Sequence, residues 1–174
     1  MLGFTKAAGA ESPIVNARFK GSKLSHYLFR VLSEEEDGKM TIDHYISPTS
    51  LDEAIAHLSQ QGAVSLAGGT DLLVGIRVGN RSARSVVDLK KIPELTAVQW
   101  ENGKVSIGAA VSSDACIQDM RLASAFPGFA EALGLIGSAQ IQGRCSAGGN
   151  VCNASPAADS VPALIANGAV CNIK

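Results

Sequence analysis

Leu66-Ala67-Gly68-Gly69-Thr70-Asp71 and Ser146-Ala147-Gly148-Gly149-Asn150-Val151, with first glycines 80 positions apart, decide how the rest of this chain is read. Each sets a hydroxyl or amide side chain beside a Gly-Gly pair. Two glycines remove two Cβ atoms and let a ligand press against bare backbone N–H groups. Such groups favour anions, above all where a helix begins. Both stretches read as loops after apolar, strand-like runs. Together they can hold the two ends of one long phosphate-containing molecule; singly, each is also a plain turn.

Working outward from the first loop, Ser50 and Glu53 form a capping box. Leu51, Ala54, Ile55 and Leu58 then recur at helical spacing until Gly62, which predicts a helix over 51–61. A short buried strand over 63–67 delivers the chain into Gly68, and a helical turn opens at 71–74. Residues 85–89 read as a strand. Residues 95–100 and 104–109 flank Asn102-Gly103, a hairpin turn. Ser112 or Ser113 caps a helix through Met120, and a second helix follows Pro127. Beyond the second loop, 156–166 reads as a short helix stopped by Asn167-Gly168, and 169–173 begins a strand. Residues 1–39 mix Gly, Ser, Lys and Arg before the acidic run Glu34-Glu35-Glu36-Asp37, and are expected to be a poorly ordered extension with no clean secretory signal.

The 174 residues suit one domain or two small lobes. A net charge of −1 argues against nucleic acid as the main partner, since phosphate backbones require a basic face. No apolar run approaches the roughly 20 residues of a membrane helix. Cys116, Cys145, Cys152 and Cys171 form no C-x-x-C pair and lie far in sequence from His26, His44 and His57, so no metal site is expected. Reduced, mostly buried thiols in a cytoplasmic protein are the expectation.

The loops match neither a P-loop, for want of Gly-Lys-Ser/Thr, nor the Rossmann G-x-G-x-x-G. Gly68 and Gly69 let main chain approach a pyrophosphate or ribityl chain, and Thr70 adds a hydroxyl. Asp71 either caps the following turn or bonds a sugar hydroxyl. Asn150, Asn153, Ser155 and Asp159 set small polar groups among Ala, Val and Pro. Asp159 has the same two readings: helix cap, or acceptor for a ribityl or ribose hydroxyl. No Ser-His-Asp set or other nucleophile–base constellation appears, so no catalytic side chain is assigned and any chemistry falls to a bound cofactor.

At these residues the chain resembles a known family. Ala67-Gly68-Gly69-Thr70-Asp71-Leu72-Leu73, Gln140-Ile141 ahead of Ser146-Ala147-Gly148-Gly149-Asn150-Val151, and Ser155-Pro156-Ala157-Ala158-Asp159-Ser160-Val161-Pro162-Ala163-Leu164 resemble the FAD-binding medium subunit of the xanthine dehydrogenase and carbon monoxide dehydrogenase family of molybdenum hydroxylases. The likeness runs from about 41 to 174 and includes Tyr45-x-x-Pro48-x-Ser50-Leu51-x-Glu53-Ala54. It implies an α+β, two-lobed FAD-binding domain of the vanillyl-alcohol-oxidase type, with a first lobe over about 40–95 and the start of a second over about 96–174. FAD would lie between the lobes. The implied FAD contacts are Ser65, Leu66, Ala67, Gly68, Gly69, Thr70, Asp71 and Leu72 on one side, Ser146, Ala147, Gly148, Gly149 and Asn150 on the other, and Asp159. The implied partners are a molybdopterin-binding large subunit and a small subunit with two [2Fe–2S] clusters, from which electrons pass through FAD to an acceptor.

The chain departs from the family pattern at Ser146-Ala147, where Thr-Ile or Ser-Val is usual, and at Gln142-Gly143, where Arg-Asn is common. It also stops at Lys174, before the rest of the second lobe and the C-terminal domain. The sequence reading therefore takes it as a fragment or a truncated product. A second reading is a non-catalytic module that docks partner subunits without retaining FAD.

Overall fold

The computed structural model describes residues 3–7 and 42–173. Strands β1 (Gly3–Ala7), β2 (His44–Ile46), β3 (Ala63–Leu66), β4 (Ser85–Asp88), β5 (Val98–Glu101), β6 (Lys104–Gly108) and β7 (Val170–Asn172) form two sheets. One is parallel, in the order β2-β4-β3, and the other antiparallel, in the order β5-β6-β1-β7.

The parallel sheet arises from two crossovers. Helix α1 (Leu51–Leu58) joins β2 to β3, and α2 (Leu72–Arg77) joins β3 to β4. Ser50 caps α1 by accepting from the Glu53 amide, and Glu53 reaches back to the Thr49 amide, one residue short of the reciprocal bond that a capping box makes. All four residues of β4 are buried, as expected of a central strand covered on both faces. Val87 packs with Leu51, Ala54 and Ala63 under α1, and Val86 with Leu66 and Ile76 under α2. The alternation of β4 thus feeds two cores on opposite sides of one sheet.

A short helix, α3 (Pro93–Thr96), leads to the β5–β6 hairpin, where Asn102 and Gly103 both take positive φ. Pro93 at the first helical turn puts Leu95 and Thr96 in a helix, where the sequence suggested the hairpin strand already begins. Then come α4 (Ser113–Gln118), α5 (Met120–Ala125), α6 (Pro127–Gly134), α7 (Ala139–Gln142), α8 (Ala147–Asn153) and α9 (Ser160–Ala166). These helices bury Cys116, Leu122, Phe126, Phe129, Leu133, Ala147 and Leu164 against Val105 and Ile107 of β6. Ala147 in this cluster ties the second glycine motif to the core.

Two expectations need correcting. Gly3–Ala7 forms a strand paired with β6 and β7, inside a stretch read as a loose extension; the remainder of 1–39 lies outside the described residues. The second Gly-Gly stretch is not a loop after a strand. It is the first turn of α8, preceded by α7. A Gly pair normally argues against helix, but Ser146 supplies an N-cap strong enough to start one.

Candidate functional site

The carboxyl end of β3 turns at Ala67–Asp71 directly beside the carboxyl end of β4, since Leu66 and Asp88 are partners in register. Ligands of open parallel sheets bind at this end. Gly69 has φ +82°, open to glycine and strained for other residues. Gly68 meets a different demand: a Cβ there would stand 2.1 Å from the Arg144 carbonyl oxygen and 2.8 Å from Cys145 Cα. The first glycine motif is therefore seated against the main chain that leads into the second. Gly148 is likewise flush on Ala109, where a Cβ would come within 2.5 Å of the carbonyl oxygen. Half-buried Gly149 has only the Ser146 hydroxyl near, at 3.1 Å from a notional Cβ. Two of the four glycines thus serve contact within the protein and one serves the turn, leaving Gly149 as the bare surface the sequence reading sought.

The other expected residues divide in the same way. Leu66 and Ala147 are core, and Leu72 packs against the core. Ser146 is buried, and its hydroxyl accepts from the Gly149 amide as the cap of α8. Asn150 Oδ1 accepts from the Ser160 hydroxyl at 2.6 Å, which leaves the Asn150 NH2 as a donor. Asp71 and Asp159 stand at the N-cap positions of α2 and α9, yet neither makes a side-chain cap hydrogen bond. Both carboxylates are exposed, as is Ser65, and Thr70 is half-buried.

Among the described residues, no acceptor takes the amides of Gly68, Gly69, Thr70 or Asp71. Four consecutive N–H groups without a partner among the described residues, on a turn with one positive φ, form a cradle of donors open to an acceptor-rich group. A pyrophosphate fits that donor set, because it brings acceptor oxygens and no donors.

Beneath the cradle lies a polar network that sequence reading passed over. Lys90 Nζ donates to Asp88 Oδ1 at 2.6 Å and to the Ala67 carbonyl at 2.9 Å. Asp88 Oδ1 also accepts from the Lys90 amide, and its Oδ2 accepts from the Tyr45 hydroxyl. Burial pushes the Asp88 carboxyl up, but the bonds from Lys90 and Tyr45 outweigh it and hold the group below its ordinary value. The same carboxylate raises the Tyr45 hydroxyl, through the hydrogen bond first and burial second. The available signal was Asp88-x-Lys90 at the carboxyl end of a buried strand. A second link, from Arg81 to Asn153 Oδ1 at 2.6 Å, ties the segment after α2 to the end of α8.

Cys116 and Cys145 are buried, and Cys152 and Cys171 are exposed, so only half of the thiols follow the expectation of burial; all four are free. Burial, then the nearby Asp119, pushes the Cys116 thiol up to about 12. Among the described residues, no helix is long and apolar enough to cross a membrane.

A family model described as the FAD binding domain in molybdopterin dehydrogenase matches residues 38–174. The chain belongs to this family. Its cofactor is FAD, as the resemblance implied, and the cradle at Gly68–Asp71 lies within the matched region. Among curated relatives, the chain is 36% identical over 129 residues to the caffeine dehydrogenase subunit beta of Pseudomonas sp. (strain CBB1), covering 73% of this chain and 43% of that protein. It is 34% identical over 122 residues to the carbon monoxide dehydrogenase medium chain of Hydrogenophaga pseudoflava, covering 69% and 42%. Among solved structures, the reconstituted CO dehydrogenase from Oligotropha carboxidovorans superposes with a TM-score of 0.65 at 31% identity, covering 69% of this chain and 42% of that one. The fold is thus a mixed α/β FAD-binding domain like that of the CO dehydrogenase medium chain. The chain spans less than half the length of these relatives.

Proposed function

We propose that this chain is the FAD-binding part of the electron-transfer subunit of a molybdenum hydroxylase complex, working in the cytoplasm. The observation that carries the reading is the run of four amides at Gly68–Asp71 that lack an acceptor among the described residues, at the carboxyl end of a parallel sheet. In this reading those amides hold the FAD diphosphate, with the Thr70 hydroxyl beside them. Gly149 and the NH2 of Asn150 approach the cofactor from the opposite side, and the exposed carboxylates of Asp159 and Asp71 accept from its sugar hydroxyls. Ser65, Leu66, Ala67, Leu72, Ser146, Ala147 and Gly148 shape the walls rather than donate to the cofactor.

FAD, when bound, would supply the redox chemistry of electron transfer between a partner and an acceptor. The chain's own residues bind and orient. Substrate oxidation is assigned in this reading to a molybdopterin-binding large subunit, and electron delivery to a small [2Fe–2S] subunit. The parallel sheet and the antiparallel sheet are read as the two lobes of a vanillyl-alcohol-oxidase-type arrangement, about 40–95 and 96–174.

Titration of the purified chain with FAD tests this. Saturable quenching of flavin fluorescence is expected, and loss of it in the Gly68→Val, Gly149→Val double variant. Absence of quenching from a folded wild-type chain would overturn the reading.

A further inference from the structure

We propose that Lys90 is a positioning residue whose ammonium group aims the amides of the Gly68–Asp71 cradle; this rests on the FAD reading above. Lys90 Nζ holds the Ala67 carbonyl oxygen at 2.9 Å. In a trans peptide the carbonyl and the next N–H point in opposite directions. Fixing the Ala67 oxygen toward Lys90 therefore sends the Gly68 N–H the other way, out of the network, where it has no acceptor among the described residues. Gly69 then turns through positive φ, and its own amide and those of Thr70 and Asp71 likewise lack an acceptor among the described residues.

Lys90 is itself held in place. Asp88 Oδ1 accepts from both its side chain and its own amide, and Tyr45 occupies the other oxygen of Asp88. The Asp88 side chain is 8% exposed, so the ion pair is shielded on that side from water that would loosen it. Three strands contribute: Tyr45 from β2, Asp88 from β4 and the turn after β3. The ammonium also sits on the carbonyl side of the turn, where its positive charge adds to the field of the outward N–H groups.

The test uses the whole chain. Lys90→Met keeps the length and apolar stem but removes the charge and both donors. FAD affinity is expected to fall by about tenfold or more, and the Gly68 and Gly69 amide resonances of the cofactor-free protein to move, while that of Gly103 in the distant hairpin stays. Lys90→Arg, which can donate to both acceptors, should restore affinity to within about threefold of wild type; this rescue separates aiming from mere folding. If Lys90→Met does not fold, Lys90→Gln is measured in its place, with the same expected loss. Equal FAD affinity in wild type and the neutral variant, or unmoved Gly68 and Gly69 resonances, overturns the positioning role and leaves the FAD reading standing. A folded wild type that binds no FAD overturns both.

Discussion

Gly68 and Gly149 sit in similar sequence contexts and do different work. A methyl group at 68 meets main chain, which has no rotamer by which to withdraw, and overpacking of this kind costs about 1–3 kcal/mol or more. A methyl group at 149 meets only the Ser146 hydroxyl, in a helix where alanine is favoured over glycine by about 1 kcal/mol. Gly68→Ala is therefore expected to lower the melting temperature and FAD affinity together. Gly149→Ala crowds the capping hydroxyl but gains helix propensity, so it should change the melting temperature less than Gly68→Ala while still weakening FAD. Thermal unfolding beside flavin titration checks both, and a Gly149→Ala protein with full FAD affinity would remove Gly149 from the site. The glycine pairs themselves were legible in the sequence; what surrounds each glycine was not. Gly-Gly reports the absence of side chains, but what fills the freed space is a tertiary fact: the protein's own backbone at Gly68 and Gly148, and only the Ser146 hydroxyl near Gly149.

At the level of elements, the parallel sheet owes its polar end to Asp88. Because the fold holds this carboxyl below its ordinary value, its stabilising contribution is complete above the unfolded value near 3.8 and is lost as pH falls through the lower folded value. Asp88→Asn should be less stable than wild type at pH 7 by about 1.5–3 kcal/mol, the range for hydrogen bonds to a charged group. The gap should narrow as pH falls below about 4 and close once the folded carboxyl is protonated. Denaturant melts at pH 7 and pH 3 measure it; a gap independent of pH would show that the carboxylate's charge is not what stabilises. The elements themselves were mostly readable, because capping signals and apolar spacing are local. Residues 51–58, 63–66 and 85–88 fall inside the expected helix and strands. Helix α8 was not readable, since two glycines outweigh Ser146 in any local count and the burial of Ala147 that repays them is remote. The network under the cradle was hidden for a similar reason: Tyr45, Asp88 and Lys90 converge only once β2 and β3 pair with β4.

At the scale of the molecule, Arg81 and Asn153 bridge 72 positions of sequence and hold the region of α2 to that of α8. Gly75 leaves room for the bridge, as a Cβ there would come 3.0 Å from Arg81 Cδ. Arg81→Ala and Asn153→Ala should each lower stability, with a double-mutant coupling of about 0.5–3 kcal/mol. Additive effects would show that the bridge carries no energy of its own. A Gly68–Arg144 seam runs alongside this bridge, and it has an unusual property. Most packing faults can be repaired by trimming the opposing side chain, so one partner may drift while the other follows. Here the opposing atoms are a carbonyl and a Cα, which every amino acid possesses. No exchange at 144 or 145 can make room for a larger residue at 68, so any lineage that alters position 68 must move the turn after β3 away from the Arg144–Cys145 main chain.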